Sequence, residues 1–175
     1  MSTILSTQGV QIYIRKDSVS PHVAVEIDLL RDFNGLGGPA KKIDTTTFSN
    51  ATTESYIKGL IAPAEATGTL IFAFNSPAHQ LLMALQKTVG TNAFTQIFVG
   101  ESDGTAVPTV VAGLIVPPSA GTPALWTRSG LLTDCYVSKI QFKQPTNDVV
   151  MADFSIQPLN TLEMVTKGEA ITITH

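Results

Sequence analysis

The chain has 175 residues, one cysteine and a formal net charge of −3, which suits one domain that buries a core without disulfides or metals. Charged residues make up 14% of the chain, against roughly 25% in typical soluble domains, so its neutral surface is either solvated or covered by partner subunits; we favour partner subunits. The absence of a basic cluster, of a membrane-length apolar run and of a signal peptide argues against nucleic-acid binding, a membrane anchor and secretion.

Most of the elements predicted along the chain are strands. Residues 1–9 are predicted to form a flexible arm, and residues 10–15 alternate apolar and polar as a half-buried strand does. Residues 23–29 alternate again, with apolar side chains on one face and Glu26 and Asp28 on the other. Further strands are predicted at residues 41–47, 69–75, 94–100, 107–116, 131–142, 149–159 and 170–174.

One helix is predicted at residues 77–89. Ser76 and Pro77 supply an N-cap and a first-turn proline, and apolar residues then recur at steps of three and four. Gly90 is the predicted stop. Several short strands around one helix predict a mainly β fold, a β-sandwich or barrel with the helix packed on its flank.

No residue pattern indicates catalysis. His22, His79 and His175 stand too far apart for a metal site, and His79 is predicted to face solvent near the start of the helix. Cys135 is predicted to be a small apolar filler in a strand, and Trp126 to pack in the core rather than to stack on a sugar. We therefore expect no enzymatic activity, no cofactor and no metal.

The stretch from Ile43 to about Val89 carries a distinctive order of parts. It begins with Ile-Asp-Thr-Thr at residues 43–46, continues through a long polar loop with Tyr-Ile-x-Gly-Leu at residues 56–60, and ends with a Gly-led aromatic strand and the helix. This series resembles the major tail tube proteins of long-tailed, siphovirus-like bacteriophages.

The resemblance implies a structural virion protein. Tail tube subunits form hexameric rings in which the sheets join into a continuous inner β-barrel, and the rings stack into the conduit for DNA delivery into the host. The implied partners are other copies of the chain, a tape-measure protein and tail-end proteins, with DNA passing through without specific binding. The implied location is the virion tail, after assembly in the host cytoplasm.

Two sets of residues are predicted to act in such a tube. The channel of this family is generally acidic, so Glu26, Asp28 and Asp153, each opposite an apolar row, are predicted to face the lumen; a solvated outer face is the alternative. The loop at residues 48–66 is predicted to be mobile alone and to become ordered between stacked rings. Its predicted contact residues are Phe48, Glu54, Tyr56, Ile57, Leu60 and Ile61.

Two other functions remain open at this stage. One is a tube subunit of a pyocin-like or type VI secretion-like particle, which would share the fold. The other is a carbohydrate-binding β-sandwich, which the missing signal peptide and the few aromatic residues argue against. In each case residues 1–175 are predicted to form a single domain.

Overall fold

A computed structural model describes most of the chain. It covers residues 10–16, 23–44, 56–61, 63–101, 109–111, 114–116, 125–126, 129–143, 149–160 and 162–170. Within these ranges, only the backbone is described for residues 16, 40–44, 56–61, 109, 111, 114 and 116. The predicted arm at residues 1–9 and the predicted contact residues Phe48 and Glu54 lie outside the described residues.

The described ranges contain twelve strands and one α-helix. The elements are β1 Val10–Lys16, β2 Val23–Glu26, β3 Leu30–Asn34, β4 Ala40–Asp44, β5 Tyr56–Ile61, β6 Ala66–Ile71, α1 Pro77–Lys87, a 3₁₀ turn Gly90–Ala93, β7 Thr95–Glu101, β8 Thr109–Val111, β9 Leu114–Val116, β10 Gly130–Lys143, β11 Met151–Pro158 and β12 Glu163–Val165. The predicted mainly β fold with one helix is confirmed.

Ten of the strands form one antiparallel sheet that is not closed into a barrel. The order is β3-β6-β11-β10-β7-β1-β2-β8-β9, with β12 also beside β10. The first part of β10 pairs with β7, and its later part pairs with β11 from Cys135 opposite Pro158 to Lys143 opposite Met151. A register shift between Val137 and Lys139 marks a bulge, and bulges bend strands.

The long strand β10 therefore belongs to two halves of the sheet. We call β3, β6, β11 and the part of β10 after the bulge the four-stranded half. We call β12, the part of β10 before the bulge, β7, β1 and β2 the β7 half. Buried side chains of both halves join one apolar cluster, which includes Ile14, Ile97, Leu70 and Phe154. The halves thus pack face to face as in a sandwich.

A second apolar cluster lies on the opposite face of the β7 half. Tyr13 and Phe98 belong to it, whereas their strand neighbours Ile14 and Ile97 belong to the first cluster. Because side chains alternate along a strand, both faces of β1 are buried. The prediction of a half-buried strand is therefore wrong for β1. Trp126 is buried in this second cluster, as predicted.

The helix packs against one side of the first apolar cluster. Ser76 is the N-cap and Pro77 occupies the first turn, as predicted, and Ala78, Leu81 and Leu82 are buried. The helix ends at Lys87, two residues before the predicted end. Gly90, with a φ of 74°, instead begins the 3₁₀ turn.

Gly68 in β6 has no side chain, which leaves room for the aromatic ring of Phe154 on the neighbouring strand. A Cβ atom on Gly68 would lie 2.7 Å from the ring of Phe154 and 3.0 Å from the carbonyl oxygen of Asp32. No side chain fits this space, because Phe154 lies across the strand directly opposite Gly68. The glycine that leads the aromatic strand is thus a packing requirement of the four-stranded half.

Several predicted boundaries are wrong. The strand at residues 23–29 ends at Glu26, because Leu29 takes a φ of 56° that no regular strand contains. The strand at residues 107–116 is instead the hairpin β8 and β9. β3 and β12 were not predicted.

The predicted irregular loop at residues 48–66 also differs from the structure. Residues 56–61 form β5, and Ala66 is already a buried residue of β6. β5 pairs with β4, from Ala40 opposite Ile61 to Asp44 opposite Tyr56. These two strands form a separate two-stranded sheet, which pairs with no other described strand.

Candidate assembly surfaces

His79 is buried, and the prediction that it faces solvent is wrong. Its ring is 0% exposed, whereas the side chain of Asp28 beside it is 51% exposed. The backbone N–H of Ala73 donates to Nδ1 of His79 at 2.9 Å. Nδ1 is therefore the acceptor, and Nε2 carries the proton.

The Nε2 proton points at Asp28, two residues after the end of β2. Nε2 of His79 lies 3.1 Å from the carbonyl oxygen of Asp28 and 3.3 Å from its Oδ1. The hydroxyl of Ser76 donates to the same Oδ1 at 2.7 Å. The imidazole also stacks on Phe72, with ring centroids 5.2 Å apart.

Ser76, His79 and Asp28 have the residue types of a hydrolase triad but not its geometry. In a triad the serine hydroxyl donates to histidine, and the carboxylate accepts from the other ring nitrogen. Here the Ser76 hydroxyl donates to Asp28 and accepts from the backbone N–H of His79 at 3.5 Å, as a helix cap does. The group therefore fixes the helix start to the end of β2.

Cys135 has the environment of a structural thiol. It is fully buried in the first cluster, as predicted. Burial raises the pKa of its thiol to about 12, and the neighbouring Asp134 carboxylate adds to the shift. A thiol with this pKa is protonated at neutral pH and unreactive.

The described part of the chain offers neither a metal site nor a membrane-spanning helix. There, no group of three or more His, Cys, Asp or Glu side chains could hold a metal ion. Among the same residues, no helix is long and apolar enough to cross a membrane.

Asp153 lies on the outer face of the four-stranded half. Its carboxylate pairs with Lys143 and accepts from the Thr69 hydroxyl at 3.0 Å. The Lys143 hydrogen bond holds the pKa of the Asp153 carboxyl below its usual value, and the Thr69 bond acts in the same direction. In the register, Gln141, Asp153 and Thr69 form a row across three strands.

The same row continues to β3. Asp32 stands opposite Thr69, and its Oδ1 accepts from the Thr69 backbone N–H at 2.9 Å. Lys139 stands opposite Ser155, one step along the same face. This face therefore carries two acids and two lysines, Lys139 and Lys143, rather than acids alone.

The three acids predicted to face a lumen do not form one cluster. Glu26 is exposed on β2 and accepts from Gln11 at 3.2 Å. Three strands separate β2 from β11, which carries Asp153. Asp28 lies at the helix start. A common orientation toward one channel stays a prediction.

Two edges of the four-stranded half are open within the described residues. β3 pairs with β6 alone, and β7 accompanies β10 only as far as Cys135. The part of β10 after the bulge thus has β11 on one side and no described strand on the other. Unpaired edges are templates for pairing with another chain.

The hairpin of β4 and β5 is the other candidate surface. Tyr56, Ile57, Leu60 and Ile61 of the predicted contact set lie on β5. An isolated two-stranded hairpin is marginally stable in water. Within the described residues, strand pairing with the ten-stranded sheet gives this hairpin no support.

Residues 3–168 match the family model described as phage tail tube, TTP, lambda-like. The chain belongs to the lambda-like phage tail tube family. It is thus a structural subunit of a phage tail tube and part of the virion. Its sequence is 30% identical over 156 residues to Structural protein 3 of Pseudomonas phage PAJU2, across 89% of this chain and 90% of that protein.

Solved structures agree on the fold. A chain of the hybrid NMR and cryo-EM structure of the SPP1 tail tube aligns with a TM-score of 0.59 at 10% identity, covering 96% of this chain and 81% of that one. A chain of the 6-fold symmetrised baseplate of the anti-feeding prophage aligns with a TM-score of 0.60 at 6% identity, covering 95% and 98%. At these identities the likeness concerns the tail tube fold alone.

Proposed function

We propose that this tail tube subunit closes into hexameric rings through the open edges of its four-stranded half. The observation that carries the proposal is the pair of unpaired edges, β3 at one end and the later part of β10 at the other. Edge-to-edge pairing around a closed ring satisfies both edges at once, whereas a monomer leaves both exposed. The 6-fold symmetrised baseplate with this fold supports six copies.

The rings stack into a tube that conducts DNA into the host. The outer face of the four-stranded half would become the inner wall, with Asp153 among its side chains. Phosphate is repelled by carboxylates and attracted by lysines, so a wall with both lets DNA pass without tight binding. The subunit acts without catalysis, and its further partners are a tape-measure protein and the proteins at the two tail ends.

The hairpin of β4 and β5 contacts the neighbouring ring. No described strand of the ten-stranded sheet pairs with it, and a stacked copy supplies the missing support. Phe48 and Glu54 belong to the segment between the two strands and complete the contact set with Tyr56, Ile57, Leu60 and Ile61. Residues 48–65 thus serve as an assembly segment.

Amide hydrogen exchange on monomer and tube tests the ring contact. We expect the amides of β3 and of residues 138–143 to gain protection on assembly, because the neighbour's strand then hydrogen-bonds to them. β1 is the internal control, since β2 and β7 already pair with it on both sides. Negative-stain microscopy of the same samples gives the ring symmetry.

Two results would overturn the proposal. One is a tube in which the β3 and β10 amides exchange as fast as in the monomer. The other is rings with a symmetry other than six-fold. Protection gained equally by β1 would mean that assembly rigidifies the whole subunit and that the edges are not the contact.

A further inference from the structure

An apolar groove lies at one end of the β7 half. It has a volume of about 520 Å³ and is formed by the ends of β1, β7, β10 and β12. Leu131 is flanked by Val99 on one side and Met164 on the other. Met164 is 74% exposed, and Val10 is also exposed. Exposed apolar surface of this kind marks a docking site.

An aromatic patch lies at the opposite end of the molecule. Phe74 is 71% exposed beside a hollow of about 410 Å³, which Phe142, Met83 and Lys87 also line. Phe72 holds the patch together, because its ring makes edge contacts with Phe74 at 5.2 Å and with Phe142 at 4.8 Å. The exposed ring is thus supported from below by a buried one.

The same strand carries both surfaces. Leu131 is near the start of β10 and Phe142 near its end, eleven residues later. At roughly 3.3 Å per residue, the two lie up to about 36 Å apart. The groove and the patch therefore cannot meet within one molecule. Two different surfaces that meet between copies make a head-to-tail contact, which repeats without limit unless it closes.

Charge and shape are complementary between the two surfaces. Glu101 lines the groove, and Lys87, in the last turn of α1, lines the patch. The groove is concave and apolar, whereas Phe74 offers a large ring with little conformational freedom to lose. Met164 at the rim adds a sulfur atom, which packs well against aromatic rings.

We propose that the occupant of the groove is a second copy of this chain. Phe74 of one copy enters the groove of the next, against Leu131 and Met164, and Lys87 meets Glu101 across the contact. This contact deepens the proposed function, on which it rests, because it gives stacked subunits a second junction besides the β4 and β5 hairpin. It runs along β10, from the end of one copy to the start of the next.

Cross-linking of assembled tubes tests the contact directly. The double variant Phe74→Cys with Met164→Cys is assembled and treated with a short bismaleimide. We expect a ladder of covalent dimers, trimers and longer chains on a denaturing gel. Each single variant should give no ladder, because a head-to-tail contact brings position 74 next to position 164 and not next to itself. The native thiol of Cys135 is buried and protonated and does not interfere.

A charge exchange supplies a second, independent measurement. Lys87→Glu and Glu101→Lys each place like charges at the contact, so each should raise the critical concentration for tube formation about fivefold. The double variant restores the pair and should return the critical concentration to that of the parent. Glu169→Lys, at an exposed position that lines neither surface, is the control for a charge reversal outside the contact.

The outcomes separate this contact from the function on which it rests. Tubes of the double-cysteine variant that give no ladder would overturn the contact and leave the tube function standing. Dimers from a single-cysteine variant would mean a symmetric contact and would overturn the head-to-tail arrangement. A double charge variant no better than the worse single variant would overturn the Lys87 to Glu101 pairing. If the parent forms no tubes under any condition, both proposals fail.

Discussion

At the scale of single residues, His79 joins three elements. Its imidazole accepts from the backbone after β6, donates toward Asp28 after β2 and stacks on Phe72. A buried ring with both nitrogens bonded loses little free energy to desolvation, whereas removal of the ring leaves its partners unsatisfied. His79 therefore stabilises the junction between the sheet and the helix.

His79→Ala should lower the free energy of unfolding by about 2–4 kcal/mol, from a cavity together with unsatisfied partners. Chemical denaturation monitored by circular dichroism measures the change. The control is Gln86→Ala, at an exposed position of the same helix, which should change stability by less than about 0.5 kcal/mol. A His79→Ala variant as stable as the Gln86→Ala variant would show that the buried ring contributes nothing to the fold.

At the scale of elements, the hairpin of β4 and β5 contrasts with the rest of the molecule. Every other described strand belongs to the ten-stranded sheet, whereas these two pair only with each other. Ordering a residue costs on the order of 1–2 kcal/mol. In the proposed contact with the neighbouring ring, burial of the hairpin would offset that cost.

Tyr56→Ala or Ile57→Asp should give a folded monomer that polymerises poorly, because each removes an apolar side chain from the segment proposed to contact the neighbouring ring. Circular dichroism should match the parent, and sedimentation should show a large loss of pelleted tube. Hydrogen exchange is the direct readout: we expect amides of residues 48–65 to gain protection when rings stack. Equal protection in monomer and tube would make this segment an ordinary part of the fold.

At the scale of the whole molecule, the predicted lumen acids have different surroundings. Asp28 bonds Ser76 at the helix start, so its replacement also disturbs the fold. Glu26 and Asp153 are the cleaner probes. Asp153 shares its face with Lys139 and Lys143, so a lysine at position 153 would remove a compensating acid and add a third cation.

Asp153→Lys, Glu26→Lys or both should leave tube formation intact and slow DNA release, because phosphates then meet a ring of cations in every layer. The effect should be largest at low salt, where the Debye length exceeds the roughly 8 Å of physiological conditions. Ejection kinetics from purified phage measure it. Glu163→Lys, which reverses the charge of an exposed side chain on β12, is the control. Unchanged kinetics for Glu26 and Asp153 variants would place both residues away from the channel.

Local features of the sequence determined much of the fold. The strand around Tyr13, the Ser76 and Pro77 cap and the apolar steps of the helix depend on neighbours within a few residues, and the structure confirms each element, although β1 is buried on both faces. The burial of Cys135 and Trp126 was also predictable from their apolar settings. The ordered series from Ile43 to Val89 was enough to indicate the tail tube family.

Only the tertiary structure decided the features that depend on distant partners. His79 is buried because Asp28, 51 residues earlier, comes to its ring. β3 is a strand because β6 pairs with it, although its own sequence predicted no strand. The groove and the aromatic patch exist because β10 spans both halves of the sheet. Periodicity gives the faces of each strand, but a strand's neighbours, and hence its open edges, depend on the packing of the whole chain.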